Sequence, residues 1–342
     1  MKAVVLHEHG PIDKLRYEDI ETPRPGFGEV LVRVTAAGVN HFDHDIREGV
    51  SGIAHKLPHI PGIEGVGEIA ELGEGVNEVA VGNRVAINFF QSCGHCDMCL
   101  SGLDGICLGG KRIGVTTWGS YAEYCVCEAR NVIALPDALA DEAAAASMLC
   151  FGTAWHMTAN LGAVRAGQDV LVNAAGSGVG SSAIQVAKLH GARVIASAGS
   201  TAKLDKAREL GADHVIDYTT QDLEAEVMGA TGGKGADLVI ESVGGDILTA
   251  SIAALAFNGR LITCGAHAGQ RIDLDVIELF RKHIRIQGSH YASKREVGHV
   301  LGLVADGKLT PVIHRTLKLA EVQTAAAMMA DRSVIGKMVL VP

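Results

Sequence analysis

Beyond Asp141 the chain settles into a regular alternation that leaves little freedom of fold. DVLVNAA, RVIASA, HVIDY, DLVIESV, RLITCGA and IRIQGS are short apolar runs suited to strands. SSAIQVAKLH, stopped by Gly191, and TAKLDKARELG, which Ser200 can cap, read as helices between them. Such spacing implies βαβ crossovers and a doubly wound parallel sheet. DEAAAASMLCFGTAWHMTA, just upstream, reads as a helix whose first acidic residues complement its dipole. An aromatic share of only 4% and 42 glycines suit layers of Ala, Val, Ile and Leu joined by tight turns.

The first ninety residues follow another pattern. KAVVL, EVLVRVTAAGV, GVGEIAELG and NRVAINF are strand-like runs punctuated by Gly and Pro, as in a compact all-β unit. A chain of 342 residues suits two domains. The last fifty residues hold a helix and the closing strand KMVLVP, which is expected to return to the first domain. The expected division is therefore residues 1–150 with 289–342, and residues 151–288.

A net charge of −9 argues against a nucleic-acid partner, which needs a basic surface. No apolar run is long enough for a membrane span, and MKAVVLHEHG enters a strand without the apolar core of a signal peptide. The expectation is a cytoplasmic protein with reduced thiols, acting on a small molecule and touching neither membrane nor nucleic acid.

Cys93, Cys96, Cys99 and Cys107 stand at C-x2-C-x2-C-x7-C spacing in SCGHCDMCLSGLDGIC. Four thiolates so spaced can close a tetrahedral shell around Zn²⁺ with no open position, which predicts one structural zinc per chain. A disulfide framework would need an oxidising compartment. The other cysteines, Cys125, Cys127, Cys150 and Cys264, lie in apolar contexts where an inert buried thiol is usual.

VLVNAAGSGVGSSAIQVAKLHGA has the form strand, glycine turn, helix. Its small residues Ala175, Gly176, Ser177, Gly178, Val179 and Gly180 would let the backbone approach a pyrophosphate at a helix N-terminus. Counted from Gly176 and Gly178, the third position of G-x-G-x-x-G is Ser181 rather than glycine. At the end of the next strand, RVIASAGSTAK places Ala198 where an NAD-selective site would place an acid. Ser200 and Lys203 follow and could hold a 2′-phosphate, which favours NADP(H) over NAD(H).

AAGVNHFD, PGIEGVGEIAELGEGV, the four-cysteine segment, AAGSGVG and the closing GKMVLVP together resemble the medium-chain dehydrogenase/reductase superfamily, that of zinc alcohol dehydrogenases and quinone oxidoreductases. The resemblance spans nearly the whole chain. It implies a GroES-like β domain carrying the zinc lobe at 93–107, joined to a Rossmann NADP(H)-binding domain, with the active site in the cleft between them. It also implies a homodimer or homotetramer associated through the Rossmann sheet edge.

The family's catalytic zinc uses a Cys, a His and a further Cys, at positions held here by Asn40, Ile63 and Leu149. Isoleucine and leucine cannot ligate a metal. Cys150 neighbours the third position but on a helix points about 100° away. A relocated site built from His41, Asp43, His44 or His59 stays open as the competing reading. Asn40 matches quinone-oxidoreductase-like members, in which it would meet the nicotinamide ribose region. By the same resemblance Lys203 and Tyr218 would flank the 2′-phosphate, Thr153 would approach the nicotinamide half, and Phe89, Trp118 and Leu149 would wall the substrate pocket.

Without a catalytic metal, alkoxide formation lacks an evident source, whereas quinones and activated enones spread the negative charge that hydride brings. The expected activity is hydride transfer from NADPH to such an acceptor, with Asn40 and His41 as oxyanion donors and Asp43 orienting His41. The alternatives are an NADP(H)-dependent alcohol or aldehyde dehydrogenase with a displaced zinc or a proton relay, and a non-catalytic NADPH-binding protein.

Overall fold

The computed structural model describes all residues from Met1 to Pro342, which divide into two compact units: Met1–Leu149 with Ala292–Pro342, and Cys150–Tyr291. No helix is long and apolar enough to cross a membrane.

The spine of the first unit is the strand Glu29–Val39. It is paired antiparallel to Lys337–Val341, Gly65–Leu72 and Tyr124–Glu128. These strands lie in a seven-stranded sheet completed by Ile313–Lys318, Arg84–Ile87 and Val132–Ala134. One strand can serve three partners because Tyr124–Glu128 pairs with its first residues, 29–33, and Lys337–Val341 with its last, 37–39; against Gly65–Leu72 its register slips between Leu31 and Val32 and again between Val34 and Ala36, and bulges of this kind bend a strand. Gly67 permits the crossing: a Cβ there would lie 2.0 Å from the Arg33 carbonyl oxygen. The core beneath is aliphatic, with Val30, Val32, Val34, Ile69, Val85 and Leu340 all buried.

Glu29–Val39 ends at Asn40, the N-cap of the helix His41–Glu48. Asp43, at the third helical position, reaches back to accept the Asn40 N–H at 2.9 Å, which fixes how the chain enters the helix. Gly49 ends it in the left-handed conformation at φ 77°.

The second unit is a six-stranded, all-parallel sheet. Its order is His214–Asp217, Arg193–Ala198, Asp169–Val172, Ala236–Glu241, Leu255–Thr263, Arg285–Gly288. The chain begins at Asp169–Val172, builds outward to one side, then returns to build the other, so the sheet is doubly wound with its switch point beside that strand. All four residues of Asp169–Val172 are buried, as expected of a strand covered on both faces. At the far edge all four residues of Arg285–Gly288 are exposed. The helix expected from Asp141 runs to Trp155 and then widens into a π-helical turn, His156–Leu161.

Candidate active site

In the second unit the turn after Asp169–Val172 places Ser177 at the N-cap of the helix Gly178–Leu189, its hydroxyl accepting the Gly180 N–H at 2.9 Å. The glycine that allows helix and strand to approach is Gly180, since a Cβ there would fall 2.2 Å from the Ala174 carbonyl oxygen. Ser181, which counting from Gly176 puts in that place, is not the close-packing position. Beside Gly176 lies the aliphatic stem of Lys203, whose Cγ would be 2.5 Å from an added Cβ. Tyr218 closes on Gly199 in the same way, its hydroxyl 2.9 Å from a Cβ built there. Lys203 and Tyr218 thus both wall the backbone around the first two strand ends.

The exposed Ser200 sits at the N-cap of Thr201–Glu209, but its side chain makes no capping bond, contrary to the expectation from the sequence. Ala198, where an acid would take a ribose hydroxyl, is buried. Beneath the turn the Asn173 carboxamide donates to Ser251 Oγ at 2.7 Å and accepts from Ser197 Oγ at 2.7 Å. A glycine turn over a helix N-terminus, with no acid at the second strand end, has the chemistry to hold a dinucleotide pyrophosphate. Thr153 is buried in Asp141–Trp155.

In the first unit the four sulfurs of Cys93, Cys96, Cys99 and Cys107 all lie within 4.8 Å of one another. Two pairs are closer, Cys93–Cys99 at 3.9 Å and Cys96–Cys107 at 3.8 Å. Tetrahedral zinc with bonds of about 2.3 Å requires sulfur separations of about 3.8 Å, so the set fits that ion. The backbone N–H groups of Cys99 and Leu108 pull the Cys96 thiol down to about 6, while burial pushes Cys99 up to about 12. One ligand is therefore already biased to thiolate, the form a metal binds.

The three positions that the resemblance associates with a catalytic zinc surround a different arrangement. Glu64 is fully buried; its Oε1 accepts from Asn40 Nδ2 at 2.9 Å and its Oε2 from the Leu149 N–H at 3.0 Å. The ammonium of Lys337, itself only 4% exposed, bonds both Glu64 Oε1 and Asn40 Oδ1. Buried pairs of this sort add little net stability, but removing one partner costs about 3–5 kcal/mol because the other charge is stranded. Gly38 makes the room: a Cβ there would fall 2.3 Å from Glu64 Oε1. Asn40 Nδ2 spends its other donor on the Gly38 carbonyl at a longer 3.3 Å.

Asp43 differs from expectation. It is buried and none of its hydrogen bonds goes to His41; its carboxylate accepts from Asn40 N, from Tyr121 Oη at 2.9 Å, and from the N–H groups of Gly62 and Ile63, both at 3.2 Å. It orients Asn40 and the 62–63 loop. Burial pushes its carboxyl up to about 6 against those hydrogen bonds. His41 is exposed, its ring 5.6 Å from that of His44. His59 lies elsewhere, its Nε2 donating to the Gly114 carbonyl at 2.8 Å and its ring tilted 5.5 Å from that of His55. The four groups considered for a relocated metal do not converge; the cysteine cluster is the one convergent set of three or more ligating side chains.

Of the expected pocket walls, Phe89 is buried edge-on against Phe90 at 5.2 Å, Trp118 is 40% exposed with its indole donating to the Pro58 carbonyl, and Leu149 is anchored through its N–H by Glu64. Sequence reasoning passed over Glu64, Tyr121 and Lys337. A lone charge set among glycines and aliphatics, in GIEGVG and in GKMVLVP, was the available signal.

Residues 26–137 match the alcohol dehydrogenase GroES-like domain family, and residues 178–306 match the zinc-binding dehydrogenase family. An alcohol dehydrogenase of Geobacillus stearothermophilus is 32% identical over 314 residues, 92% of this chain and 91% of that protein. An NAD-dependent alcohol dehydrogenase of Sulfolobus acidocaldarius is 32% identical over 99% of both proteins. Among solved structures, an NAD-dependent alcohol dehydrogenase superposes with a TM-score of 0.95 at 42% identity, and a mycobacterial quinone oxidoreductase with 0.82 at 27%; each covers 100% of both chains. With a GroES-like β unit, a doubly wound nucleotide sheet and a four-cysteine lobe, the chain belongs to the medium-chain dehydrogenase/reductase superfamily, in its zinc alcohol dehydrogenase-like branch, and is an NAD(P)-dependent oxidoreductase.

Proposed function

We propose that this protein is an NADPH-dependent reductase of quinones, enones or comparably activated carbonyls, working without a catalytic zinc. The observation that carries this reading is the Asn40–Glu64–Lys337 cluster, in which the candidate ligand Asn40 already holds an ammonium and its two companions are the aliphatic Ile63 and Leu149. A zinc held by the cysteine lobe would supply local folding energy and no chemistry at the reacting centre.

NADPH held at the glycine turn would supply hydride to the electrophilic carbon of the acceptor, whose π electron pair would pass to the carbonyl oxygen. His41 and Asn40 supply donors to that oxyanion, and water supplies the proton. For Asn40 the 3.3 Å bond to the Gly38 carbonyl is the weaker of two and the one an acceptor oxygen would replace. Lys337 polarises the same carboxamide through its oxygen. NADP(H) is favoured because Ala198 cannot take a ribose hydroxyl and Lys203, Tyr218 and Ser200 are grouped around the strand ends.

A second reading has its own support, since several of the similar proteins are named alcohol dehydrogenases, and one of Sulfolobus acidocaldarius is named for NAD. Steady-state oxidation of NADPH and NADH with 1,4-benzoquinone and 2-cyclohexenone, before and after chelation, separates the two. The reductase reading expects NADPH preferred, turnover indifferent to chelator, and activity lost in Asn40→Ala and His41→Ala while NADPH still binds. Alcohol-dependent NAD⁺ reduction that a chelator abolishes would replace it with the dehydrogenase.

We further propose a homo-oligomer joined through the second unit. The edge strand Arg285–Gly288 is exposed along its length, and Phe257, Val276, Ile277 and Phe280 leave large apolar surface near that end of the sheet. Native proteins cover such an edge, and a second copy is the simplest cover.

A further inference from the structure

Glu241, the last residue of the strand Ala236–Glu241, is fully buried, and the proposed reaction gives it no part. Its hydrogen-bond partners are all neutral. Oε1 accepts the N–H groups of Val243 at 2.6 Å and Gly244 at 3.0 Å, and Oε2 accepts the Thr263 hydroxyl at 3.1 Å. Burial pushes its carboxyl up, against the pull of those donors. A buried acid without a cation costs stability, and a leucine would avoid that cost. What a carboxylate offers instead is two oxygens that accept from donors lying in two directions.

Those donors belong to two chain segments. Residues 242–245 lead from Glu241 into the helix Gly245–Ala253, and residues 264–269 follow the next strand, Leu255–Thr263. The two turns lie against each other, Ala268 N donating to the Val243 carbonyl at 2.7 Å and Gly245 N to the Gly269 carbonyl at 3.1 Å. Side chains would not fit between them: a Cβ on Gly244 would fall 2.4 Å from the Gly269 oxygen, and one on Gly265 2.5 Å from the Ser242 oxygen. Gly244 and Gly245 have φ of 80° and 53°, and glycines have the most backbone freedom to lose. The Glu241 carboxylate gives this turn a fixed point, bonded on one side to its N–H groups and on the other to the end of Leu255–Thr263.

Position gives that fixed point a task. The neighbouring strand Asp169–Val172 runs out into the glycine turn, and Asn173 N donates to the Ile240 carbonyl at 3.0 Å. The glycine turn and Glu241 therefore leave the sheet side by side. From Asp169–Val172 the chain builds the sheet to one side, and from Ala236–Glu241 to the other. At such a switch point the two turns are the lips of the crevice in which a dinucleotide lies. We propose that Glu241 is a positioning residue for the dinucleotide, its carboxylate holding the 242–245 turn as the lip opposite the glycine turn. The proposal rests on the dinucleotide site and is independent of whether the substrate is a quinone, an enone or an alcohol.

The test is binding of NADPH and of NADH to the full-length protein, followed by coenzyme fluorescence well below the melting transition. Glu241→Leu should weaken the tighter-bound coenzyme by at least about tenfold. Glu241→Gln should stay within about threefold of the native protein. Its amide oxygen can accept the two N–H groups, and its NH₂ can donate to Thr263 Oγ1, whose hydroxyl already reaches the Gly265 carbonyl at 3.3 Å. A Glu241 that served only the core would lower the melting temperature of Glu241→Leu and leave its coenzyme affinity native, which overturns the proposal. A Gln variant as weak as the Leu variant also overturns it, since charge and not the hold on the turn would then be what the coenzyme needs. Should Glu241→Leu fail to fold, Thr263→Val cuts one side of the hold while keeping the acid. It should weaken binding about threefold, and native affinity there overturns the proposal. A native protein that binds neither coenzyme would instead overturn the dinucleotide site itself.

Discussion

Two residues of the candidate site, Asn40 and Asp43, are each defined by what they touch. Asn40 is fixed from both ends, its N–H by Asp43 and its carboxamide by Glu64 and Lys337. Asp43 holds that backbone while carrying a carboxyl pushed up to about 6 by burial. An acid whose pKa is raised in the folded state binds its proton more tightly there than in the unfolded chain. Its contribution to stability is therefore complete below the unfolded value of about 4 and is lost as pH rises through about 6. Asp43→Asn removes the titration. The stability difference between native protein and variant should then shift against the native protein by about 1 kcal/mol between pH 5 and pH 7.5. Urea melts at the two pH values measure it; a difference independent of pH would show that Asp43 titrates normally. The resemblance carried by GVNHFD was enough to single out Asn40. Its partners were not legible in the sequence, because Lys337 comes from the last strand and Glu64 from the loop before Gly65–Leu72, and no local pattern couples them.

At the scale of elements, local rules carried most of the reading. The strand Glu29–Val39 and the helices after Asp169–Val172 and Arg193–Ala198 fall where apolar periodicity placed them. The departures come from packing. Ser200 occupies a capping position without capping, and the close-approach glycine is Gly180 because contact with Ala174, not motif counting, selects it. The cysteine segment is the element most dependent on something other than a core: it offers short helical turns, Asp97–Leu100 and Asp104–Ile106, around the four sulfurs. Leu100, Leu103, Ile106 and Leu108 are all exposed, so little apolar burial holds it. Cys96→Ser should release the metal, loosen residues 93–107 and leave NADPH affinity unchanged. Zinc per chain and limited proteolysis check this, and an unchanged zinc content with unchanged cleavage would contradict it. Structural zinc sites supply apparent binding energies of about 10 kcal/mol, enough to make this loss local unfolding.

At the scale of the whole molecule the first unit is built from both ends of the chain, with Lys337–Val341 inserted beside Glu29–Val39. That insertion is also what delivers Lys337 to Glu64. The second unit ends its sheet in an open edge bordered by exposed Phe280 and Ile286. Phe280→Asp should weaken self-association by at least about tenfold, since large aromatic side chains dominate such interfaces. Sedimentation velocity over a dilution series reads it; an unaltered assembly would move the interface elsewhere on the molecule.

Composition, periodicity and the spacing of four cysteines determined a great deal by themselves: a β unit followed by a doubly wound sheet, a glycine turn between strand and helix, and four thiols at zinc-ligand spacing. These are properties of neighbours in sequence, where turn chemistry, helix period and ligand spacing act over a few residues. Tertiary structure alone decided that a lysine ammonium and a buried glutamate close around Asn40, that Asp43 serves Asn40 and not His41, and that Arg47 is buried with two of its nitrogens unpaired. Each of those depends on side chains brought together from distant strands and helices, where burial sets charge, proton affinity and hydrogen-bond demand.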